Sequence, residues 1–206
     1  MLLVLGTHNR KKGIELQDLL APWGFQLQTL AELPQAIEVA ETGTTFAENA
    51  KLKAVQQAVH LKQWVLAEDS GLAVDALKGE PGVYSARFSG PNATDKSNNQ
   101  LLCKKLQDVP VERRTAHYVC YAVLSDPAGN VRAESQGRCD GIMQLEPAGS
   151  GGFGYDPYFE VVEYHRTFGE LGPAVKRALS HRGRAMRGLL PQLLNCTEGG
   201  QWRSLC

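Results

Sequence analysis

Two neighbouring carboxylates in the middle of the chain, Glu68 and Asp69, are the side chains best suited to bind a metal ion or to move a proton. They follow the apolar run 65–67, which is typical of the end of a buried strand, and precede an alternating segment, 72–76, typical of a second strand. Side-by-side carboxylates repel each other unless a cation or a bound proton relieves them, so a divalent metal is one interpretation. The other is a solvated turn over residues 68–71, in which Asp and Ser cap nearby amides.

The composition of the 206-residue chain describes an ordinary globular protein rather than a functional class. Lys plus Arg equals Asp plus Glu at 22 each, which argues against a generally basic surface for binding a nucleic acid polymer. Five scattered cysteines, none in a Cys-x-x-Cys pair, predict neither a zinc site nor a disulfide framework. Because there is no internal repeat, low-complexity tract or linker, we predict a single domain over residues 1–206.

No apolar run in the sequence approaches the ~18 residues that suggest a membrane-spanning helix. The N-terminus places a short apolar run before its basic residues, which is the reverse of a secretory signal. We therefore expect a soluble cytoplasmic protein that does not bind a membrane.

The N-terminal segment predicts a strand, a loop and a helix. Residues 2–5 are apolar, and helical spacing of apolar residues begins at Ile14. The start of a helix gathers free backbone N–H groups and the positive end of the helix dipole, so this junction suits an anion such as phosphate. It lacks the spacing of a Walker P-loop, and a capped helix with a basic first turn is the structural alternative. The polar residues of the junction are Thr7, His8, Asn9, Arg10, Lys11 and Lys12.

A second helix is predicted to begin after Thr45. Thr45 as N-cap and Glu48 three residues later form a capping box, which is a sufficient explanation for Glu48. Lys53 lies five residues after Glu48 and projects about 140° away from it, either into solvent or into a binding site. Glu41, in the loop before this helix, could reach a shared acidic site.

Further elements are predicted from apolar spacing and β-propensity: strands at 25–30, 115–124 and 131–136, and a helix at 95–106. The segment 77–87 is rich in turn residues and is predicted to be irregular. His117 is interpreted as a strand residue on the surface rather than a metal ligand, because no His or Cys stands at metal-ligand spacing from it.

Two later segments could bind an aromatic ligand. Glycines in the loop 147–157 allow close backbone approach, and an exposed ring there can stack on a nucleobase, although the aromatic residues could instead fill the core. The centre of this loop is Phe153, Gly154, Tyr155 and Asp156. The segment 176–183 opens a predicted helix, and Ser180 as its N-cap would hold His181 and Arg182 at the helix start, shortly after Lys176.

Together these segments supply what a metal-bound nucleoside triphosphate requires: cations for phosphate, carboxylates for a metal and an aromatic face for a base. Six motifs occur in register over nearly the whole chain and resemble the inosine triphosphate pyrophosphatase family, the house-cleaning purine nucleoside triphosphatases. The motifs are T-x-N-x-x-K-x-x-E-L from Thr7, E-T-G-T-T-F-x-E-N-A-x-x-K-A from Glu41, E-D-S-G-L-x-V-D-A-L from Glu68, P-G-x-Y-S-A-R from Pro81, G-G-F-G-Y-D-P from Gly151 and S-H-R from Ser180.

The resemblance implies an α/β fold with an elongated mixed central sheet flanked by helices, two lobes around a deep active-site cleft, and usually a homodimer. It implies Mg²⁺-dependent hydrolysis between the α- and β-phosphates of ITP, dITP or XTP. The products would be the nucleoside monophosphate and pyrophosphate. This reaction would cleanse the nucleotide pool of non-canonical nucleotides.

The resemblance also implies roles for individual residues. The triphosphate would be held by Thr7, His8, Asn9, Arg10, Lys11, Lys12 and Lys53. Magnesium would be held by Glu41, Glu68 and Asp69, with Asp69 also acting as the general base and Ser70 touching the substrate. The base would be bound and read by Phe153, Gly154, Tyr155, Asp156, Lys176, His181 and Arg182.

The chain departs from the family pattern at three positions: His8 and Lys11 stand where relatives commonly have glycine, and Glu68 stands where many have Asp. His8 and Lys11 affect the expected affinity for phosphate. Glu68 affects which of the two neighbouring acids, Glu68 or Asp69, is the main metal ligand. Two alternative functions fit much of the pattern: a non-catalytic nucleotide-binding or sensing protein, which would need no general base, and a related pyrophosphatase for pyrimidine or modified nucleotides.

Overall fold

The computed structural model describes residues 2–198 and contains seven strands and five α-helices in that range. The strands are β1 Leu2–Leu5, β2 Gln26–Thr29, β3 Trp64–Val74, β4 Thr115–Ser125, β5 Val131–Met143, β6 Phe159–Val161 and β7 Arg166–Thr167. The helices are α1 Arg10–Leu20, α2 Phe46–Leu61, α3 Asp95–Leu106, α4 Pro173–Leu179 and α5 His181–Glu198. Met1 and residues 199–206, which include Trp202 and Cys206, lie outside the described residues. None of the described helices has the length and apolar character needed to cross a membrane.

The seven strands form one sheet in the order β2-β1-β3-β4-β5-β6-β7. β1 pairs in parallel with β2 and β3, whereas β6 pairs antiparallel with β5 and β7. The predicted mixed α/β sheet flanked by helices is confirmed.

The chain divides into two compact units. The first comprises the described residues up to Asp69, the segment Cys120–Gly137 and the described residues from Arg182 onward. The second comprises Ser70–Val119 and Arg138–His181. The chain therefore leaves one unit for the other within β3, β4 and β5 and near the start of α5.

In the first unit, hydrophobic cores lie on both faces of β1 and β3. One core gathers side chains of α1 and α5 against Leu3, Leu5, Trp64 and Leu66. The other gathers the alanines of α2 against Val4, Val65 and Ala67. Successive strand residues point to opposite faces of a sheet. In this part of β3, even-numbered residues therefore face α1 and α5, and odd-numbered residues face α2.

β3 runs unbroken from Trp64 to Val74, so the predicted strand end at residue 67 and the alternative of a solvated turn over residues 68–71 are both wrong. Glu68 and Asp69 lie inside the strand and are only 2% and 6% exposed. A buried carboxylate is costly unless it is paired. The strand tolerates these acids because helices of the same unit bring cationic side chains to both of them.

The late helix predicted to start after Ser180 is confirmed as α5, and a further helix that was not predicted, α4, precedes it. α4 ends at Leu179, Ser180 adopts an extended conformation, and α5 begins at His181. Lys176 therefore lies inside α4. Most other predicted elements agree with the structure: α3 has the predicted bounds, and β5 continues seven residues beyond the predicted strand end, to Met143.

The capping box predicted for α2 is present and fixes where this helix begins. Thr45 Oγ1 accepts a hydrogen bond from the backbone N–H of Glu48 at 3.2 Å, and Glu48 Oε2 accepts one from the backbone N–H of Thr45 at 3.1 Å. The box matters for the site because the next turns of α2 carry Asn49 and Lys53.

Replacing Thr45 with Ala removes the acceptor for the Glu48 N–H group. We expect the free energy of unfolding to fall by about 1 kcal/mol, measured by urea denaturation. Thr45→Ser, which keeps the hydroxyl, is the matched control and should remain close to the parent protein. Equal midpoints for the Ala and Ser variants would show that the cap does not hold the helix start.

Candidate active site

Glu68 is an even-numbered residue of β3 and is surrounded by cations from α1 and α5. Its Oε1 lies 3.0 Å from Lys12 Nζ and 3.3 Å from Arg182 Nη2. Cys120 Sγ lies 3.4 Å from Oε2, in position to donate a hydrogen bond. Arg182 also pairs with Glu15 of α1. This acid and its partners form a closed network on one face of the sheet.

The surroundings of Glu68 keep it ionised. Burial alone would raise the pKa of this carboxyl, but Arg182, Lys12 and Lys53 together hold the pKa well below its usual range. A carboxylate that stays charged and is already surrounded by donors suits charge balance better than proton transfer.

Asp69 points to the opposite face, where α2 supplies its partners. Lys53 Nζ lies 2.8 Å from Asp69 Oδ1 and 2.8 Å from Glu41 Oε1, so one ammonium group bridges two carboxylates. Asn49 Nδ2 donates to Asp69 Oδ2 at 3.4 Å. The structure therefore brings Glu41, Asp69 and Lys53 together, and it places Glu68 in a separate set of contacts.

Asn49 is a contact residue of Asp69 that the sequence interpretation missed. Its side chain is fully buried, and its Oδ1 accepts the backbone N–H of Gly43 at 2.8 Å. Because that N–H group can only donate, the amide oxygen must face it and the amide nitrogen must face Asp69. A Cβ at residue 43 would lie 2.6 Å from Glu48 Cβ, so only glycine permits this approach. The available signal was an amide four residues before Lys53, on the buried side of α2, whose other buried residues are three alanines and Gln57.

Burial and charge shift both members of the Asp69–Lys53 pair. Burial raises the pKa of Asp69 against the opposing effect of Lys53, and nearby Glu41 raises it further. Burial opposes the charge on Lys53, but Asp69, Glu68 and Glu41 raise its pKa above the ordinary value. Lys53 therefore stays protonated, and Asp69 is a stronger proton acceptor than an exposed aspartate.

The predicted phosphate loop is a capped helix start with exposed cations. Asn9 Oδ1 accepts from the backbone N–H groups of Lys11 and Lys12 at 3.0 and 3.2 Å, so Asn9 is the N-cap of α1. His8, Arg10 and Lys11 are exposed, whereas Lys12 turns inward to Glu68. A cavity of about 360 Å³ adjoins the loop. Its lining residues are Thr7, His8, Asn9, Arg10, Ile14, Gln17, Thr29, Ala31 and Glu32.

In the second unit, the Phe153 ring of the glycine-rich loop 147–157 contacts the Lys176 ammonium group. Lys176 Nζ lies 4.6 Å from the centre of the Phe153 ring and 2.7 Å from Asp156 Oδ2. The same carboxylate oxygen accepts the backbone N–H of Phe153 at 2.6 Å. Tyr155 is buried, and its hydroxyl donates to the carbonyl of Ser85 at 2.8 Å. Tyr155 thus fills the core, and Phe153 is the half-buried aromatic ring of this loop.

His181 stacks on Tyr118, with ring centres 4.6 Å apart and planes 8° apart. Both residues belong to the second unit, as does Ser70, which is half-buried in β3. Arg182, the next residue along the chain, belongs to the first unit and contacts Glu15 and Glu68. That His181 and Arg182 read a base together stays a prediction.

The sequence pattern of the Ham1 family matches residues 3–192 of this chain. This chain belongs to the Ham1 family. It is 55% identical over 196 residues to a dITP/XTP pyrophosphatase of Rhodopirellula baltica, covering 95% of this chain and 94% of the relative. A dITP/XTP pyrophosphatase of Desulforamulus reducens is 46% identical, covering 95% and 96%.

Solved Ham1-family structures share the fold. The Staphylococcus aureus Ham1 protein superposes with a TM-score of 0.82 at 35% identity, covering 97% of this chain and 99% of that one. A nucleoside-triphosphatase / dITP/XTP pyrophosphatase of Mycobacterium abscessus gives 0.74 at 44% identity, covering 93% and 100%.

The donor set of this Ham1-family chain fits a metal that takes only part of its coordination shell from protein. Over residues 2–198, no three His, Cys, Asp or Glu side chains are grouped as a fully protein-bound metal needs. Mg²⁺, however, commonly binds through one or two carboxylates and completes its shell with waters and substrate phosphates. Glu41 and Asp69 match that pattern. The Lys53 ammonium lies 2.8 Å from an oxygen of each, so both carboxylates already face one positive charge.

Replacing Lys53 with Met would leave Glu41 and Asp69 facing each other without their shared cation. We expect this variant to lose about 3 kcal/mol of unfolding free energy at neutral pH, measured by urea denaturation. Lys51→Met, at an exposed position of the same helix, is the control and should change little. If both variants unfold at the same urea concentration, the bridge does not neutralise the acids.

Proposed function

We propose that this Ham1-family protein is a pyrophosphatase for non-canonical purine nucleoside triphosphates, which hydrolyses ITP, dITP and XTP to the monophosphate and pyrophosphate. One observation carries the proposal: Asp69, buried in β3, is held by Lys53 and Asn49 and has a pKa raised by burial. A protein that only bound nucleotides would need no such base. The names of the relatives, dITP/XTP pyrophosphatases, support the same function.

The first turn of α1 is assigned to the phosphates. Arg10 and Lys11 present exposed cations beside backbone N–H groups at the positive end of the helix dipole. His8 adds a polar group where family members commonly have glycine, and Thr7 and Asn9 hold the loop in shape. Charge that develops on phosphate oxygens during hydrolysis is stabilised by such fixed donors.

Glu41 and Asp69 are assigned to magnesium, since both carboxylates face the same ammonium group. Bound there, Mg²⁺ would supply positive charge to the phosphate oxygens. Glu68, the third predicted ligand, lies on the other face of the sheet and is assigned to balancing the charges of Lys12 and Arg182.

Asp69 is assigned as the general base. It would take a proton from a water molecule whose oxygen attacks the α-phosphorus. The bond from the α-phosphorus to the bridging oxygen would then break, and pyrophosphate would leave with the bonding electrons. Asn49 and Lys53 hold the two carboxylate oxygens of Asp69, so the base is oriented before the substrate arrives.

The base end of the substrate is assigned to the loop around Phe153, with Lys176, His181 and Arg182. A ring such as Phe153 stacks on any nucleobase, so selectivity must come from hydrogen bonds. A guanidinium only donates, so Arg182 would suit the 6-oxo group of hypoxanthine or xanthine and would be mismatched to the amino group of adenine. To donate to the base, it would exchange one of its contacts with Glu15 and Glu68. A buried donor left unpaired costs about 1–3 kcal/mol. A homodimeric state and a cytoplasmic location, both expected from the sequence, belong to the same proposal.

The most informative test compares initial rates for XTP, ITP, dITP, GTP, ATP and UTP with Mg²⁺ and identifies the product. We expect XTP, ITP and dITP to be hydrolysed fastest, to release pyrophosphate, and to place the oxygen of ¹⁸O-labelled water in the monophosphate. Fastest turnover of ATP or UTP, or release of orthophosphate, would refute the proposal. Fastest turnover of a pyrimidine nucleotide would support the alternative of a pyrimidine-directed enzyme.

Removal of divalent metal tests the magnesium assignment separately. We expect EDTA to abolish turnover of XTP and added Mg²⁺ to restore it, because Glu41 and Asp69 provide oxygen ligands but no positive charge. Full activity in EDTA would show that Lys53 and the other cations suffice without a metal.

A further inference from the structure

Two side chains of α3 form hydrogen bonds with the centre of the glycine-rich loop, and the proposed mechanism uses neither side chain. Asp95 Oδ2 accepts the backbone N–H of Gly154 at 3.1 Å, and Asn99 Nδ2 donates to the carbonyl of Gly154 at 2.9 Å. Residues four apart on a helix lie on the same face, so one face of α3 holds both polar groups of a single loop residue. We call this pair of contacts the α3 clamp.

The clamp acts at a loop glycine whose conformation no neighbouring side chain enforces. Gly154 has a φ of +62° and nothing within 4 Å of where a Cβ would be, so neither sterics nor its own side chain fixes its conformation. The loop is anchored earlier by the Gly151 N–H group, which donates to Gly169 O at 2.8 Å, and later by Tyr155, whose hydroxyl donates to Ser85 O. Between these anchors, Asp156 Oδ2 accepts the backbone N–H of Phe153, and the clamp fixes the next residue, Gly154.

The side chain of Asn99 is poorly explained by stability alone. It is 7% exposed, and its Oδ1 is buried without a hydrogen-bond partner among the described residues. The orientation of the amide is fixed, because the carbonyl of Gly154 can only accept and therefore requires the nitrogen. Burying an unsatisfied acceptor costs free energy, and an apolar residue of similar size would remove that cost while leaving the half-buried carbonyl of Gly154 without its donor, so the two effects on the fold oppose each other. Such a residue would lose the hydrogen bond to the carbonyl of Gly154.

We propose that Asp95 and Asn99 are positioning residues that pre-set the Phe153 ring for stacking on the purine. The inference rests on the proposed function, because it takes the Phe153 loop as the place where the base binds. Asp156 and Lys176 already hold Phe153 from one side. Without the clamp, the backbone at Gly154 on its other side would have to be ordered when a nucleotide binds, and this loss of entropy would weaken binding. The clamp therefore acts on binding of the base and leaves the hydrolytic step at Asp69 unchanged.

The test uses Asn99→Leu, with Gln100→Leu on an exposed position of the same helix as the control. We expect Asn99→Leu to raise KM for XTP about tenfold, a loss within the range of base–aromatic stacking. The kcat and the midpoint of thermal unfolding should stay close to those of the parent. Competitive inhibition by inorganic tripolyphosphate, which has no base, should be unchanged. A lower kcat with unchanged KM, or equally weakened tripolyphosphate inhibition, would overturn the proposal.

A double-mutant cycle with Phe153→Ala separates positioning from general destabilisation. If the clamp acts through the ring, Asn99→Leu should raise KM about tenfold in the parent and have little effect once Phe153 is absent. Equal effects in the two backgrounds would show that Asn99 acts independently of Phe153 and would overturn the proposal.

Calorimetric titration with XTP in EDTA distinguishes failure of the clamp from failure of the proposed hydrolase. If the parent protein binds XTP but does not hydrolyse it under any condition, the hydrolase proposal fails. The clamp is then supported by about tenfold weaker binding to Asn99→Leu than to Gln100→Leu. Equal binding to the two variants, or no binding of XTP to the parent, would overturn it.

Discussion

The rest of the candidate site depends on two buried acids that are neighbours on one strand. Glu68 and Asp69 point to opposite faces of the sheet, so one cation cannot neutralise both in the same way. Each face must supply its own positive charge, because an unpaired buried carboxylate would be strongly destabilising. α1 and α5 meet this requirement for Glu68, and α2 meets it for Asp69. The helices around this part of the sheet are thus placed by electrostatics as well as by apolar packing.

Opposite faces also give the two acids different chemistry. Cations hold the pKa of Glu68 far below its usual range, whereas burial outweighs Lys53 and raises the pKa of Asp69. Carboxyl groups whose surroundings push their pKa values apart are typical of sites in which one acid moves a proton and the other stays charged. The separation follows from strand geometry, since a shift of one residue along β3 would exchange the two environments.

Local patterns in the sequence were sufficient for much of the fold. The capping box at Thr45 and Glu48, the bounds of α3 and the mixed α/β class follow from signals within a few residues or from the family motifs. The unbroken β3 did not follow, because adjacent charges normally end a buried strand and their partners lie far away in sequence. Asn49 and Asn99 were missed for a related reason: the role of an amide on a helix depends on which backbone group of a loop it meets, and helical spacing alone does not reveal that group.

Asp69 is the proposed base, and Lys53 and Asn49 hold its two carboxylate oxygens in place. The direct measurement is single-turnover release of pyrophosphate from XTP by Asp69→Asn, which keeps the shape of the side chain. We expect a rate about 10²–10⁴-fold below that of the parent, with XTP still bound in a calorimetric titration. Near-normal release of pyrophosphate by this variant would contradict the assignment of Asp69 as the base, since no other carboxylate described on the α2 face is held within β3.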